Sequence, residues 1–158
     1  QYETVLYTMD GHKTAVLQFT DYGFRKKNGP FVKYDENDQV AIETYLVNNQ
    51  LSVPFKKWHP NAILSDSGQL LKGEQVGIWE SWYLDGHKKD SGEYKHGEKT
   101  GLWSEWDVSG EQKSIGLYYR GYKTGEWKYY NQYGRILFVR RFKKSGSGES
   151  EIVNIAGN

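Results

Sequence analysis

Aromatic and apolar side chains recur along this chain in short strand-like runs, each broken by a glycine-centred turn. From Gly77 onward they recur in fixed phase. Gly77-Ile78-Trp79-Glu80-Ser81-Trp82, Gly101-Leu102-Trp103-Ser104-Glu105-Trp106 and Gly125-Glu126-Trp127-Lys128-Tyr129-Tyr130 are one phrase written three times, 24 residues apart. Gly86, Gly110 and Gly134 keep the same step, as do Gly92 and Gly116, then Tyr94, Tyr118 and Phe142, then Gly73, Gly97 and Gly121. A fixed period of this size marks a repeat architecture. The two preceding periods open on Val53-Pro54-Phe55-Lys56-Lys57-Trp58 and Gly29-Pro30-Phe31-Val32-Lys33-Tyr34, which keep an aromatic at the third and sixth places. Five units therefore fit one register over residues 29–144, starting at 29, 53, 77, 101 and 125. The first two are divergent: Asp38 and Ala62 stand where later units have the turn glycine, as terminal repeats often do.

Each unit reads as a β-hairpin. In the third, a first strand is expected over residues 78–83, a turn at Leu84-Asp85-Gly86-His87, and a second strand over 89–95. Asp-Gly is a strong hairpin signal. His96-Gly97-Glu98 then returns the chain to Gly101. Helix is not expected, because glycines recur every few residues and no apolar stripe of helical period is sustained. Residues 1–28 read as an N-terminal capping hairpin around Asp10-Gly11. In 145–158, Ser145-Gly146-Ser147-Gly148 reads as a linker, followed by an edge strand or a tail. The expected fold class is all-β: an elongated open antiparallel sheet of stacked 24-residue hairpins with divergent caps.

Rings three residues apart on a regular strand point to opposite faces. Two readings follow. Either each face carries an aromatic ladder, or a bulge near the opening glycine turns both rings to one side. The third-place ladder (Phe31, Phe55, Trp79, Trp103, Trp127) reads as packing, since a repeat hairpin must bury its rings against its neighbours. The sixth-place row supplies the candidate partner-binding residues Trp58, Trp82, Trp106 and Tyr130, with Tyr119 and Tyr122 beside them.

Composition narrows the functional classes. The chain has 158 residues, with 21 Lys plus Arg against 20 Asp plus Glu. That balance argues against a nucleic-acid partner. Cysteine is absent, so no disulfide framework or thiolate metal site exists. His12, His59, His87 and His96 have no paired metal-ligand spacing, and there is no nucleophile elbow or phosphate loop. The acidic run Asp35-Glu36-Asn37-Asp38 lacks the glycine and distal Glu of a calcium loop. Neither an enzyme nor a bound cofactor is expected. Clusters such as Arg25-Lys26-Lys27 and Lys56-Lys57 leave room for an anionic partner, whether acidic protein or lipid head group. The chain opens on Gln1 rather than Met, which fits removal of a signal peptide and an exported protein: periplasmic, surface-bound or secreted.

The full phrase, Gly-Xaa-Trp-Xaa-Xaa-Tyr/Trp, an Xaa-Gly turn, then Gly-Xaa-Tyr-Xaa-Xaa-Gly-Xaa-Lys-Xaa-Gly, resembles the bacterial MORN-variant repeat (membrane occupation and recognition nexus). Gly92-Glu93-Tyr94-Lys95-His96-Gly97-Glu98-Lys99-Thr100-Gly101 and its counterpart from Gly116 to Gly125 carry the resemblance. It covers residues 66–144 well, extends to 29–65, and is absent at both ends. It implies side-by-side hairpins, no catalysis, and a role in protein binding or assembly, in some members lipid binding. Many bacterial relatives carry an antitoxin label, which implies a protein that clasps and silences a partner. Thr124-Gly125-Glu126-Trp127-Lys128-Tyr129-Tyr130-Asn131 is also similar to choline- or glucan-binding repeats, whose rings cage a sugar or quaternary ammonium; their period is nearer 20. The expected function is thus a partner-protein module of antitoxin, immunity or scaffold type. The alternatives are a glycan- or envelope-binding module and a homo-oligomer that pairs its sheet edges.

Overall fold

The computed structural model describes residues 2–143 and 150–153. It is all-β. Thirteen strands follow one another in chain order in an open antiparallel sheet. They are β1 (Tyr2–Tyr7), β2 (Lys13–Phe19), β3 (Lys27–Tyr34), β4 (Val40–Val47), β5 (Gln50–Trp58), β6 (Leu64–Leu71), β7 (Glu74–Trp82), β8 (Lys88–Lys95), β9 (Glu98–Trp106), β10 (Gln112–Tyr119), β11 (Tyr122–Tyr130), β12 (Ile136–Phe142) and β13 (Ser150–Val153). The linker expected over 145–148 and the segment 154–158 lie outside the described residues; Ser150–Val153 pairs with β12. The chain divides into two compact units, Gln1–Val76 and Gly77–Asn158.

From β3 to β12 two kinds of turn alternate, each fixed by local backbone chemistry, and the longer kind also joins β1 to β2. The longer turns begin at residues 8, 35, 59, 83, 107 and 131. In each, the N–H of the fourth residue donates to the C=O of the first, and the first N–H donates to the C=O of the fifth, as in Gly86 to Tyr83 (3.0 Å) and Tyr83 to His87 (2.9 Å). The fourth residue is left-handed whether or not it is glycine: Gly86 has φ 89°, Asp38 58° and Ala62 60°. This is the three-residue hairpin loop with a left-handed bulge residue. The shorter turns are Asn48-Asn49, Lys72-Gly73, His96-Gly97 and Arg120-Gly121, with positive φ at both positions. That geometry is type I′, whose twist suits antiparallel strands.

The phrase glycine lies inside a strand rather than at its start. β7 begins at Glu74, three residues before Gly77, where residues 78–83 were expected. Gly101 (φ 66°) sits in a bulge. Ser91 pairs with Ser104 and Glu93 with Thr100, so Gly92 faces three residues of β9. On its other side β9 pairs regularly with β10 from Gly101 to Glu105, with Trp103 opposite Gly116.

In unit 1 the core lies along alternate residues of β2, Ala15, Leu17 and Phe19, against Phe31. In unit 2 the buried centre is Trp79, Trp103 and Trp127.

Candidate functional site

Trp103 and Trp127 are buried in a single layer of strands because glycine lets them lie against the backbone. A Cβ on Gly92 would stand 2.2 Å from the Trp103 ring, and one on Gly116 would stand 2.4 Å from Trp127. The Trp103 Nε1–H donates to the carbonyls of Glu93 (3.2 Å) and Thr100 (3.1 Å), on either side of the bulge. Trp127 repeats the contact with the Leu117 carbonyl at 3.0 Å. The rings join edge to face in series: Trp79–Tyr94, Tyr94–Trp103, Trp103–Tyr118, Tyr118–Trp127 and Trp127–Phe142, at 5.2–6.4 Å between centroids.

Lysines close this indole face. Lys99 Nζ lies 3.8 Å from the centroid of Trp103, and Lys123 Nζ lies 3.6 Å from that of Trp127. Each lysine also meets a carboxylate, Lys99 with Asp90 at 3.8 Å and Lys123 with Glu105 at 3.2 Å. Ser81 and Ser114 donate to those same carboxylates at 2.7 and 2.6 Å. Burial pulls the Lys123 ammonium below its ordinary range, and Glu105 opposes that shift. Burial, reinforced by Glu105 and Asp90, pushes the Tyr118 phenol up to about 12. Each carboxylate is therefore held by a cation and a hydroxyl. The arrangement is a packed, charge-matched layer, and no nucleophile–base–orienter series is formed by these residues. No cluster of three or more metal-ligating side chains occurs among the described residues.

The third- and sixth-place rings lie on opposite faces. The register shift before each sixth-place ring adds its extra residue to the following strand, as Ser81 pairs with Asp90 but Trp82 with Lys88. Alternation along β7 is thus preserved. Contacts agree: Lys88 reaches both Glu80, at 2.5 Å, and the Trp106 ring, at 5.7 Å. Trp58, Trp82, Trp106 and Tyr130 are all half-buried at the strand ends beside the longer turns. Tyr119 and Tyr122 do not join them. They are exposed and pair with each other across the Arg120-Gly121 turn, at the other end of the strands. There Arg120 lies 5.4 Å from the Tyr119 ring.

The face shared by Trp82 and Trp106 also carries aliphatic side chains at the second place of the phrase. Ile78 is 62% and Leu102 59% exposed, and Leu117, directly opposite Leu102, is exposed as well. Sequence reasoning passed over these three residues. The signal for Ile78 and Leu102 was an apolar side chain one place before Trp79 and Trp103, at the 24-residue step; the third phrase has Glu126 there.

The chain matches no protein-family model and no curated protein.

Proposed function

We propose that the protein is a non-enzymatic repeat module of the bacterial MORN-variant kind. On this reading it holds a partner protein on the face of unit 2 that carries Ile78, Leu102 and Leu117, with Trp82 and Trp106 at its end. One observation supports the reading most: Leu102 and Leu117 stand exposed directly opposite each other on β9 and β10, with Ile78 exposed on the same face of β7 beyond the Glu93 it pairs with. The solvent face of an antiparallel sheet ordinarily alternates to polar residues, and an apolar patch rimmed by charge is what protein interfaces use. The indole face suits stacking on a sugar poorly, because Trp79, Trp103 and Trp127 are buried. An immunity or antitoxin role, in which the clasped protein is silenced, is the concrete form proposed.

The test is capture from extract of the native organism, with Leu102→Lys/Leu117→Lys as the paired variant. One stoichiometric protein is expected on the wild type and lost from the variant. Two buried leucines at about 1.5–3 kcal/mol each predict at least a hundredfold weaker binding. Their exposure leaves the melting temperature unchanged. Equal capture by both forms, or retention of envelope polysaccharide in place of protein, would overturn the reading.

A further inference from the structure

Histidine fills the fifth place of two longer turns, as His12 and His87; the other four carry Gln39, Ile63, Glu111 and Arg135 there. In both cases the ring leaves its own turn and reaches the next one. His87 Nδ1 lies 2.9 Å from the Val108 carbonyl oxygen. Its ring stands over Gly110, where an added Cβ would come within 3.2 Å of it. His12 Nδ1 lies 3.2 Å from the Asp38 carboxylate. The other oxygen of that carboxylate accepts from the Lys13 N–H at 2.7 Å.

Asp38 is the counterpart of Gly110, at the fourth place of its turn, and is left-handed at φ 58°. Aspartate enters that region at greater cost than glycine. The cost is offset by two bonds that glycine cannot make, both to the preceding hairpin, β1–β2. β1 is the edge strand, so this joint ties down the end of the sheet.

The two joints respond differently to protonation. A carbonyl accepts from an Nδ1–H that both the neutral and the cationic ring can carry. Asp85, 3.4 Å from His87 Nδ1, belongs to the same turn as His87 and adds nothing between hairpins. At His12 the acceptor is a charge on the next hairpin. A cationic ring adds attraction across the joint, whereas a neutral ring protonated at Nε2 has no proton to give. The other charges nearby are Asp10, in the turn of His12, and Lys13, which acts on Asp38 from β2. The Lys13 ammonium itself lies 4.9 Å from the centre of the Tyr34 ring. The His12 bond first, and the Lys13 N–H second, hold the Asp38 carboxyl below its ordinary range. Its contribution is therefore complete above that range and lost only as pH falls through the lowered value. Histidine is charged toward acid pH, so both charges face each other in weakly acid solution.

We propose that His12 and Asp38 form a pH-set clasp that fastens the first hairpin to the repeat array, tight in weakly acid solution and looser above neutrality.

The test is amide hydrogen exchange of the whole protein at about pH 5.5 and about pH 8, on either side of the histidine range, read as protection relative to the unstructured chain. Protection over residues 2–13 is expected to be about two- to fivefold higher at the lower pH, the range of an exposed ion pair, and the gain should shrink in high salt. His12→Gln and Asp38→Gly should each remove this pH dependence. Asp38→Gly suits the left-handed backbone, so its turn stays folded. His87→Gln should leave the dependence over residues 2–13 intact. The proposal is overturned by wild-type protection that is equal at the two pH values, by a His12→Gln or Asp38→Gly variant that keeps the dependence, or by a His87→Gln variant that loses it.

Discussion

One register shift is completed in two chemically different ways in the two units. In unit 2, Gly92 faces the bulge, and Trp103 covers it while donating to the Thr100 carbonyl. Forty-eight residues earlier, in unit 1, the pairing is identical: Glu43 with Lys56 and Tyr45 with Ser52. Thr44 stands in the glycine's place and Phe55 in the tryptophan's. Phe55 has no N–H to give, and the Thr44 hydroxyl donates to the Ser52 carbonyl at 2.8 Å instead. At these two places volume and donor move together between two side chains. A buried carbonyl left without a donor costs about 1–3 kcal/mol, which is why the pair must change as a pair.

The comparison can be broken most severely at Gly92. Gly92→Ala drives a methyl group into the Trp103 ring and should cost about 3 kcal/mol in urea denaturation. Thr44→Ala, which removes only a hydrogen bond and a methyl group, should cost about 1 kcal/mol. Equal losses would show that indole–glycine packing does not separate the units.

A sharper form transplants one solution into the other. Trp103→Phe alone should cost about 2–3 kcal/mol through its cavity and lost donor. Gly92→Thr alone should cost at least as much by overpacking. The double variant recreates the Thr44–Phe55 pair, and a double-mutant cycle should return about 2 kcal/mol of favourable coupling. Strict additivity would refute the equivalence.

The smallest expected effect lies in the turns. Ala62 takes the left-handed conformation that Gly86 and Gly110 take elsewhere. Ala62→Gly should stabilise by about 0.5 kcal/mol, since the relieved backbone strain slightly exceeds glycine's entropic cost. Its midpoint in the same denaturation series decides the matter.

Much of the hairpin plan was legible in the sequence, because turn chemistry is local. Asp-Gly and its equivalents mark the longer turns, and the 24-residue step places them. The two left-handed residues Asp38 and Ala62 hold the same turn without glycine, so position in the register outweighed residue type there. What was not legible depends on pairing across strands. Gly92 and Gly116 showed in the sequence only as a pair keeping the 24-residue step, and neither needs a positive φ; they are glycines because an indole from the next strand occupies the space of a Cβ. Tyr119 and Tyr122 share a short sequence neighbourhood with Trp106 and Tyr130, yet a strand of eight or nine extended residues separates them in space. The patch of Ile78, Leu102 and Leu117 needed the register to bring Leu117 opposite Leu102.

The indoles give the array a direction and a stopping rule. Each glycine of a second strand is a socket, and the plug comes from the repeat that follows. Residues 92 and 116 are such sockets. The next position in step is Arg140, and 24 residues beyond Trp127 stands Glu151. Arg140 lies opposite Trp127, and its buried Nε has no hydrogen-bond partner among the described residues. It is a blanked socket. Lengthening the protein by grafting another copy of the phrase after β12 would therefore fail at Arg140, whereas a copy spliced between β8 and β9 would find glycine on one side and tryptophan on the other.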